Sequence, residues 1–301
     1  ELVSHFTVHF SPIYYLLLPF YLPFRSVESL IIAQSVIVAS AVIPLLMLCK
    51  HWRYSEKTTF FISVVFLTYV AMVFPCFYDF HENAFLPPIL LWLFYFLEKK
   101  SLYGALIFTL LSICVKEDVG LYVVIIALYF LIDKKEPSIK FKNEKNPIKR
   151  ASCYIRSNKG QAISICVLLL GIAGFLFATG FVNSFGEDIK VGRYQIFLAE
   201  GEDSIANVVV NVIKNPIYFL NTLIDEKKFL FIIQMLLPLG FVPLRTKRIK
   251  DYILLLPMVL VNLATDYTYQ YNVGFQYVFA SGACLVFLFA KNLRYAKKPS
   301  K

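Results

Sequence analysis

The sequence predicts an all-α fold, a polytopic integral membrane helix bundle of about nine crossings. Of the 301 residues, 58% are hydrophobic and 17% are charged, whereas soluble domains average about 45–50% and about 25%. Mean hydropathy is +0.64, and long apolar runs alternate with short charged segments along the chain. These observations exclude a disordered chain, a collagen, a disulfide scaffold and a soluble nucleic-acid-binding protein.

Nine apolar runs are candidates for membrane helices. They are 27–49, 59–77, 84–97, 102–115, 119–132, 162–182, 229–244, 252–264 and 278–290. Several have fewer than the roughly 20 residues that cross about 30 Å of hydrocarbon, so we expect neighbouring helices rather than lipid to surround them. We interpret residues 1–301 as one transmembrane domain. Because the chain opens at Glu1 without Met, we expect a fragment that lacks an upstream first helix and loop.

The connecting segments fall into two sets of opposite charge. One set is 50–58, 98–101, 133–161, 245–251 and 291–301. It holds 23 of the 30 Lys and Arg residues but only six of the 20 acidic residues. Basic loops stay on the cytoplasmic side, so we expect a basic cytoplasmic loop at 133–161 and a cytoplasmic C-terminus, in a prokaryotic plasma membrane.

Two other segments are apolar but too short to cross. Ser11 and Pro12 are suited to capping and starting a helix over Pro12–Phe24, which we expect to be re-entrant or interfacial on the outer face. In the outer loop 183–228, apolar residues with helical spacing predict two short amphipathic helices, near 204–214 and 216–226, that lie flat.

The common phosphate-loop, dinucleotide and hydrolase motifs do not occur in the sequence. Two constellations contain histidines, and the second of them also contains carboxylates. His5 and His9 could share a helix face and bind a metal, or they could be capping residues. Asp79 and His81 alternate with Phe80, so in an extended loop they would form an acid–base or metal-ligand pair. Together with Glu82, they could equally form an ordinary acidic turn.

The charged triplet Lys116, Glu117 and Asp118 divides an apolar stretch into two short arms. Charges at the tip of such a hairpin are costly unless they are paired and face a wet cavity. Pairing with Glu117 or Asp118 alone would make the tip a structural salt bridge. Pairing with the 79–82 loop would build a site between two hairpins, with the Lys116 ammonium within about 12 Å of that loop, roughly a Debye length.

We therefore expect residues from three separate segments to converge on one cavity at the outer face. They are His9, Asp79, His81, Glu82, Lys116, Glu117 and Asp118. The Tyr-rich segment 266–277 is typical of an interfacial aromatic belt, but its Tyr, Gln and Asn side chains also suit a sugar ring. Arg193 could contact a lipid phosphate or anchor the chain at the headgroups.

Six motifs occur along the chain in order. They are His9-Phe10-Ser11-Pro12, Phe80-His81-Glu82, Val115-Lys116-Glu117-Asp118, Asn215-Pro216, Leu237–Phe241 and Tyr269-Gln270-Tyr271 with Gln276-Tyr277. Because these motifs occur in this order, nearly the whole chain resembles a domain-of-unknown-function family of prokaryotic predicted membrane proteins. That family looks like a branch of the GT-C glycosyltransferases, polytopic enzymes that use polyprenyl-phosphate sugars.

The resemblance implies transfer of a sugar from a lipid-phosphate donor to an acceptor on the outer face, within the cell envelope. The catalytic residues would be Asp79, His81, Glu82, Glu117 and Asp118. The substrate-binding residues would be His9, Lys116, Arg193, Tyr269, Tyr271, Gln276 and Tyr277. Lys116 is the first choice to stabilise the departing phosphate and Arg193 the second. The partners would be membrane lipid and the lipid-linked donor, with no nucleic acid. A carboxylate would act as the general base on the acceptor hydroxyl. His81 with Asp79 or Glu82 would position the acceptor or hold a divalent metal.

Two features depart from the GT-C pattern. The essential acidic residue of the first outer loop would lie upstream of Glu1, and Gln276, which cannot shuttle protons, stands where a histidine is expected before Tyr277.

Two other functions stay open. Buried charges also mark the path of a transporter or flippase for a lipid-linked or polar solute, and the chain could be a non-catalytic membrane scaffold.

Overall fold

The computed structural model describes residues 5–132, 158–185 and 191–296, and the regular elements in these ranges are all helical. The α-helices are α1 (Leu18–Phe24), α2 (Val27–Ser40), α3 (Val42–His51), α4 (Glu56–Leu67), α5 (Val70–Val73), α6 (Leu86–Glu98), α7 (Leu102–Ile113), α8 (Val119–Leu131), α9 (Lys159–Asn183), α10 (Ile205–Lys214), α11 (Pro216–Thr222), α12 (Glu226–Leu236) and α13 (Phe279–Ala296). The all-α prediction is confirmed. Most of the predicted loop 133–161 and the end of the basic tail lie outside the described residues.

Three stretches of the described chain are long and apolar enough to cross a membrane: Val27–His51, Lys159–Asn183 and Gln276–Arg294. A fourth is added if Glu56–Leu67 and Val70–Phe77, which meet at a bend of 54°, count as one broken span. The prediction of nine crossings is therefore not confirmed. α7 and α8, with 12 and 13 residues, are only about 20 Å long.

Proline and left-handed residues explain why the predicted runs 229–244 and 252–264 are not continuous helices. α12 ends before Pro238, and Gly240 and Phe241 then take positive φ angles of 57° and 55°. Around Pro257 the second run forms a 3-10 helix, Ile249–Leu255, and a π-helix, Met258–Leu263. Each of these breaks interrupts the regular i→i+4 hydrogen bonding that a single straight α-helical span requires.

The centre of the bundle is formed by α6 and α13. Ten of the 13 residues of α6 are buried, and Phe94 stacks on Phe287 of α13 with ring centroids 4.0 Å apart. α9 packs along α8, and an added Cβ on Gly120 would lie 2.6 Å from the Gly171 carbonyl oxygen. Glycine is therefore required where these two helices approach most closely.

The predicted short helices are present, with differences at their ends. The segment after Ser11 forms a 3-10 turn, Pro12–Leu17, that continues into α1, but the buried Ser11 hydroxyl makes no capping bond, so its predicted capping role is wrong. α10 begins after Ser204, whose Oγ accepts the Asn207 N–H at 3.2 Å. α11 ends at Thr222, earlier than predicted, because a new helix begins at Glu226.

Side-chain contacts separate the connecting segments into two ends of the bundle. At the Lys291 end, defined by Trp52, Glu98, Asp251 and Lys291, Lys291 Nζ lies 2.5 Å from Glu98 Oε1 and Trp52 donates to Glu98 Oε2 at 3.2 Å. The His9 end is defined by His9, Glu82, Lys116 and Glu117. The four residues that define the Lys291 end come from the segments whose basic charge predicts a cytoplasmic location, and the four that define the His9 end come from the other segments.

Candidate functional site

A buried ion pair lies at the centre of the His9 end. Lys116, in the turn between α7 and α8, donates from Nζ to Glu82 Oε1 at 2.6 Å. The second carboxylate oxygen of Glu82 accepts the Tyr14 hydroxyl at 2.7 Å. The Lys116 and Glu82 side chains are 3% and 2% exposed. The predicted contact between Lys116 and the 79–82 loop is therefore present, and it joins α6 to the α7–α8 hairpin.

The pairing determines the charge state of both groups. Burial by itself would raise the pKa of the Glu82 carboxyl, but the positive charge of Lys116 and the hydrogen bonds from Lys116 and Tyr14 hold it well below its usual range. Burial would lower the pKa of Lys116, but the charge of Glu82 outweighs it, and the lysine pKa is raised. Both therefore stay charged at neutral pH, and Glu82 is a poor proton acceptor.

Beside this pair, His9 contacts a second buried carboxylate. His9 Nδ1 lies 3.2 Å from Glu117 Oε1, and the Phe10 N–H donates to Glu117 Oε2 at 3.1 Å. Glu117 is 3% exposed, whereas His9 is 22% exposed. When Nδ1 donates to the carboxylate, Nε2 carries the lone pair, and the carboxylate stabilises the imidazolium that forms when Nε2 takes a proton.

Two aromatic contacts extend this group. The His5 ring centroid lies 5.5 Å from that of His9 and 5.1 Å from that of Tyr14. Burial lowers the pKa of His5 from its ordinary value, with only partial compensation from Glu82. His5 is consequently neutral at pH 7, so it adds no positive charge beside His9.

Gln34 organises the loop that precedes Glu82, and sequence analysis missed it. It is 1% exposed within the apolar helix α2. Its Nε2 faces the carbonyl oxygens of Pro75, Tyr78 and Asp79 at 3.3, 3.4 and 3.5 Å, and its Oε1 accepts the His81 N–H at 3.0 Å. The signal in the sequence was an amide side chain inside an apolar run, where polar residues need partners.

The two sides of this loop differ in exposure. Asp79 is exposed, while Glu82 is buried, so Glu82 is the carboxylate that reaches Lys116. His81 is half-buried and stacks on Tyr78 with centroids 6.0 Å apart. Burial lowers its pKa, and Glu82 and Asp79 offset this only in part. The predicted acid–base pair of Asp79 and His81 stays a prediction.

Asp118 belongs to a neighbouring group of tyrosines and Arg193. Burial first, and then the charge of Asp118, raises the pKa of Tyr194 to about 12. The half-buried Arg193 places its guanidinium carbon 5.1 Å from the Tyr277 ring centroid and 5.8 Å from that of Tyr267. These cation–π contacts orient the guanidinium, and the Thr265 hydroxyl donates to the Arg193 carbonyl oxygen at 2.9 Å.

Ring contacts connect the Tyr-rich segment to the 79–82 loop. Tyr269 lies against Phe275 with centroids 4.5 Å apart, and Phe275 lies against Tyr78 at 4.6 Å. Tyr271 is half-buried, with Lys228 Nζ 5.2 Å from its ring centroid. The turn Gln276–Val278 packs against Glu82–Phe85. These contacts bring Tyr269 and the Gln276–Val278 turn next to the loop that carries His81 and Glu82. The convergence of all twelve predicted residues on one site stays a prediction.

The described residues contain no group of three or more His, Cys, Asp or Glu side chains that could hold a metal ion. Glu82 is engaged by Lys116 and Tyr14, so it is not a readily available ligand beside His81.

Residues 1–300 of the chain match the model of a family described as Predicted membrane protein (DUF2079). The chain belongs to this family. No curated protein and no solved structure gives a significant match to it. The predicted resemblance to a family of membrane proteins of unknown function is confirmed, and the apolar helices agree with it. The family description names no activity, so the relation to GT-C glycosyltransferases stays a prediction.

Proposed function

We propose that this protein is a membrane glycosyltransferase that moves a sugar from a lipid-phosphate donor to an acceptor hydroxyl at the His9 end. The observation that carries the proposal is the His9–Glu117 pair. An accessible imidazole held by a buried carboxylate is suited to general base catalysis, and it lies next to a second, fully buried ion pair. Glycosyl transfer needs such a base, a cation for the leaving phosphate and a surface for sugar rings.

In the proposed reaction, His9 Nε2 takes the proton of the acceptor hydroxyl as its oxygen attacks the anomeric carbon of the donor. The new glycosidic C–O bond forms while the bond from the anomeric carbon to the phosphate oxygen breaks, and the electron pair leaves with the lipid phosphate. Glu117 stabilises the imidazolium. The phosphate gains charge, and an arginine is well suited to contact it.

The geometry favours Arg193 over Lys116 for that contact. Lys116 is 3% exposed and is engaged by Glu82, so it acts by positioning the turn that carries Glu117. Arg193 is half-buried and lies among tyrosine rings. Tyr269, Tyr277 and Gln276 would contact sugar hydroxyls, while His81, Asp79 and Asp118 would line the remaining walls.

A crevice beside the 75–81 loop supports a lipid-linked donor. It has a volume of about 160 Å³ and lies between α2 and the bent helices α4 and α5. Its lining is mainly apolar: Ser35, Val38, Ala39, Phe66, Leu67, Met72, Val73, Cys76 and Phe77. Because the loop above it carries His81 and Glu82, a hydrocarbon chain in this crevice would have its phosphate near the His9 end.

The proposed topology places the His9 end outside and the Lys291 end, with the basic C-terminus, in the cytoplasm of a prokaryotic cell. The concentration of Lys and Arg in the predicted cytoplasmic segments, which include those that carry Trp52, Glu98, Asp251 and Lys291, supports this orientation. Nine crossings belong to the same proposal, in which the two runs that contain Pro238 and Pro257 would cross as broken helices buried among their neighbours. The short helix α6 is buried by its neighbours, as expected for a span that does not face lipid.

The test uses the full-length protein in membrane vesicles supplied with polyprenyl-phosphate hexoses and glycan acceptors. We expect His9→Ala to lower the initial rate of sugar transfer about 10²–10⁴-fold, and Arg193→Lys to lower it less. His51→Ala, which changes an exposed histidine at the Lys291 end, is the matched control and should leave the rate unchanged. A near-normal rate for His9→Ala would overturn the proposal and favour a scaffold.

A transporter or flippase is the second candidate, because the 54° bend between α4 and α5 resembles the broken helices that line transport paths. Reconstituted vesicles separate the two. Movement of a labelled lipid-linked sugar across the bilayer without formation of a glycosidic product would establish transport.

A further inference from the structure

A further pocket lies between α12 and the Tyr-rich segment, and Tyr271 is the one residue of its lining that belongs to the groups described so far. Its volume is about 350 Å³, within the range of small-molecule sites. It is lined by Lys227, Leu230, Gln234, Thr268, Tyr271 and Asn272.

The chemistry of this lining suits a ligand with many hydroxyl groups. The amides of Gln234 and Asn272 both donate and accept hydrogen bonds, as do the hydroxyls of Thr268 and Tyr271. Leu230 and the Tyr271 ring supply apolar surface for the C–H side of a ring. A sugar presents this combination of hydroxyl groups and a less polar face.

The charges around the pocket do not select an anion. Lys227 and Lys228 are offset by Asp225, Glu226 and Asp266, all within the same two segments. Lys228 is also committed to the protein, since its Nζ donates to the Thr222 carbonyl oxygen at 2.6 Å. The lining would therefore give a phosphate or carboxylate little net electrostatic attraction. The binding of a neutral sugar does not depend on such attraction.

Ring contacts connect the segment that lines the pocket to the loop that carries His81. Tyr271 and Phe275 are four residues apart, so their Cα atoms are at most about 14 Å apart. Phe275 contacts Tyr78, and Tyr78 stacks on His81. A chain of sugar residues held in the pocket can therefore extend towards the 79–82 loop.

We propose that this pocket binds a neutral sugar residue of the acceptor, so that the acceptor is a glycan rather than a protein or lipid hydroxyl. The role as acceptor site rests on the proposed glycosyl transfer, whereas the binding of the sugar does not. The proposal adds three residues to the predicted sugar contact Tyr271, namely Gln234, Thr268 and Asn272.

The experiment measures binding by saturation-transfer NMR on the full-length protein in a detergent without a sugar headgroup. The probes are methyl glucoside, galactoside, mannoside and N-acetylglucosaminide, with glycerol and inorganic phosphate as competitors. We expect saturable binding of at least one glycoside and about tenfold weaker binding for both Gln234→Leu and Tyr271→Phe, as for one lost hydrogen bond each. Asn221→Leu, which changes an exposed amide on α11 outside the pocket, is the matched control.

Three outcomes would overturn this inference: no glycoside binds saturably, Gln234→Leu binds as tightly as the unchanged protein, or phosphate displaces the glycoside. If the thermal unfolding of Gln234→Leu is unchanged, its loss of glycoside binding is not caused by a loss of folding. Binding without any transferase activity would contradict the proposed function and leave the sugar site standing. Activity without glycoside binding would contradict the sugar site alone.

Discussion

Both ends of the bundle contain ion pairs, but the pairs differ in burial and in what they hold in place. At the Lys291 end, Lys291 links α13 to Glu98 at the end of α6, and the buried Asp251 accepts from Tyr129 on α8 at 3.1 Å. Arg248 Nη2 lies 2.9 Å from Asp251 Oδ1. These contacts join helix ends to each other.

At the His9 end the buried pairs hold side chains that solvent can reach. Lys116 with Glu82 fixes the turn that carries Glu117, and Glu117 in turn contacts the partly exposed His9. The same kind of pair therefore closes the bundle at one end and positions a proton acceptor at the other. This difference, rather than the presence of buried charge, marks the His9 end as the candidate site.

The largest expected effect comes from removing the cation of the buried pair at the His9 end, and the matched change at the Lys291 end should cost much less. Lys116→Met leaves Glu82 charged and buried without its cation, and we expect it to lower the free energy of unfolding by about 3–5 kcal/mol. Lys291→Met should cost about 1 kcal/mol, because Lys291 and Glu98 are 12% and 15% exposed and solvent screens them. Denaturant titration of the purified protein gives both values.

The double variant Lys116→Met with Glu82→Leu checks the reason for this difference. If an unpaired buried charge is the cause, the second substitution should restore most of the lost stability. Equal losses for Lys116→Met and Lys291→Met would show that the two ends do not differ in this way.

A smaller effect should follow from Gln34→Leu, which removes the amide that holds the 75–81 loop. The His81 N–H loses its acceptor, and three carbonyl oxygens lose a shared donor, so we expect a loss of about 1–3 kcal/mol. Hydrogen exchange at His81 and Glu82 should rise, while exchange in α13 should not. Ser40→Ala is the control on the same helix, since Ser40 Oγ donates to the Ile37 carbonyl oxygen of its own helix turn at 2.6 Å. Unchanged exchange at His81 in Gln34→Leu would contradict this role.

The smallest effect is the dependence of stability on pH. Burial lowers the pKa of both His5 and His81, so the folded chain binds fewer protons than the unfolded chain just below about pH 6.5. Stability should therefore fall as the pH drops through this window. Stability should fall further below about pH 4.5, because Glu82 takes up a proton in the unfolded chain at a higher pH than in the folded chain.

Thermal unfolding between pH 5 and pH 8 measures the histidine contribution. The combined variant His5→Gln with His81→Gln should flatten the profile, whereas His51→Gln at the Lys291 end should leave it unchanged. A profile that keeps its slope in the combined variant would assign the dependence to other groups.

Local patterns in the sequence were sufficient to predict where most helices begin. They were not sufficient to predict which apolar runs continue as one membrane-spanning helix. The start of the helix at Pro12 and the amphipathic helix after Ser204 follow from proline position, capping residues and apolar spacing, which act within a few residues. The run 229–244 was predicted as one crossing because hydropathy averages over it. It ends instead at Pro238 and two left-handed residues, whose backbone angles hydropathy does not describe.

The sequence by itself determined the membrane class, the positions of most helices and the division of connecting segments into a basic set and an acidic set. It also identified Lys116 as a charge that needs a partner. Only the tertiary structure decided that the partner is Glu82, that Glu117 holds His9 and that Gln34 holds His81. These pairs are separated by 34, 108 and 47 residues. Local periodicity cannot specify contacts over such separations, because they depend on how the helices pack and on which polar groups that packing leaves buried together.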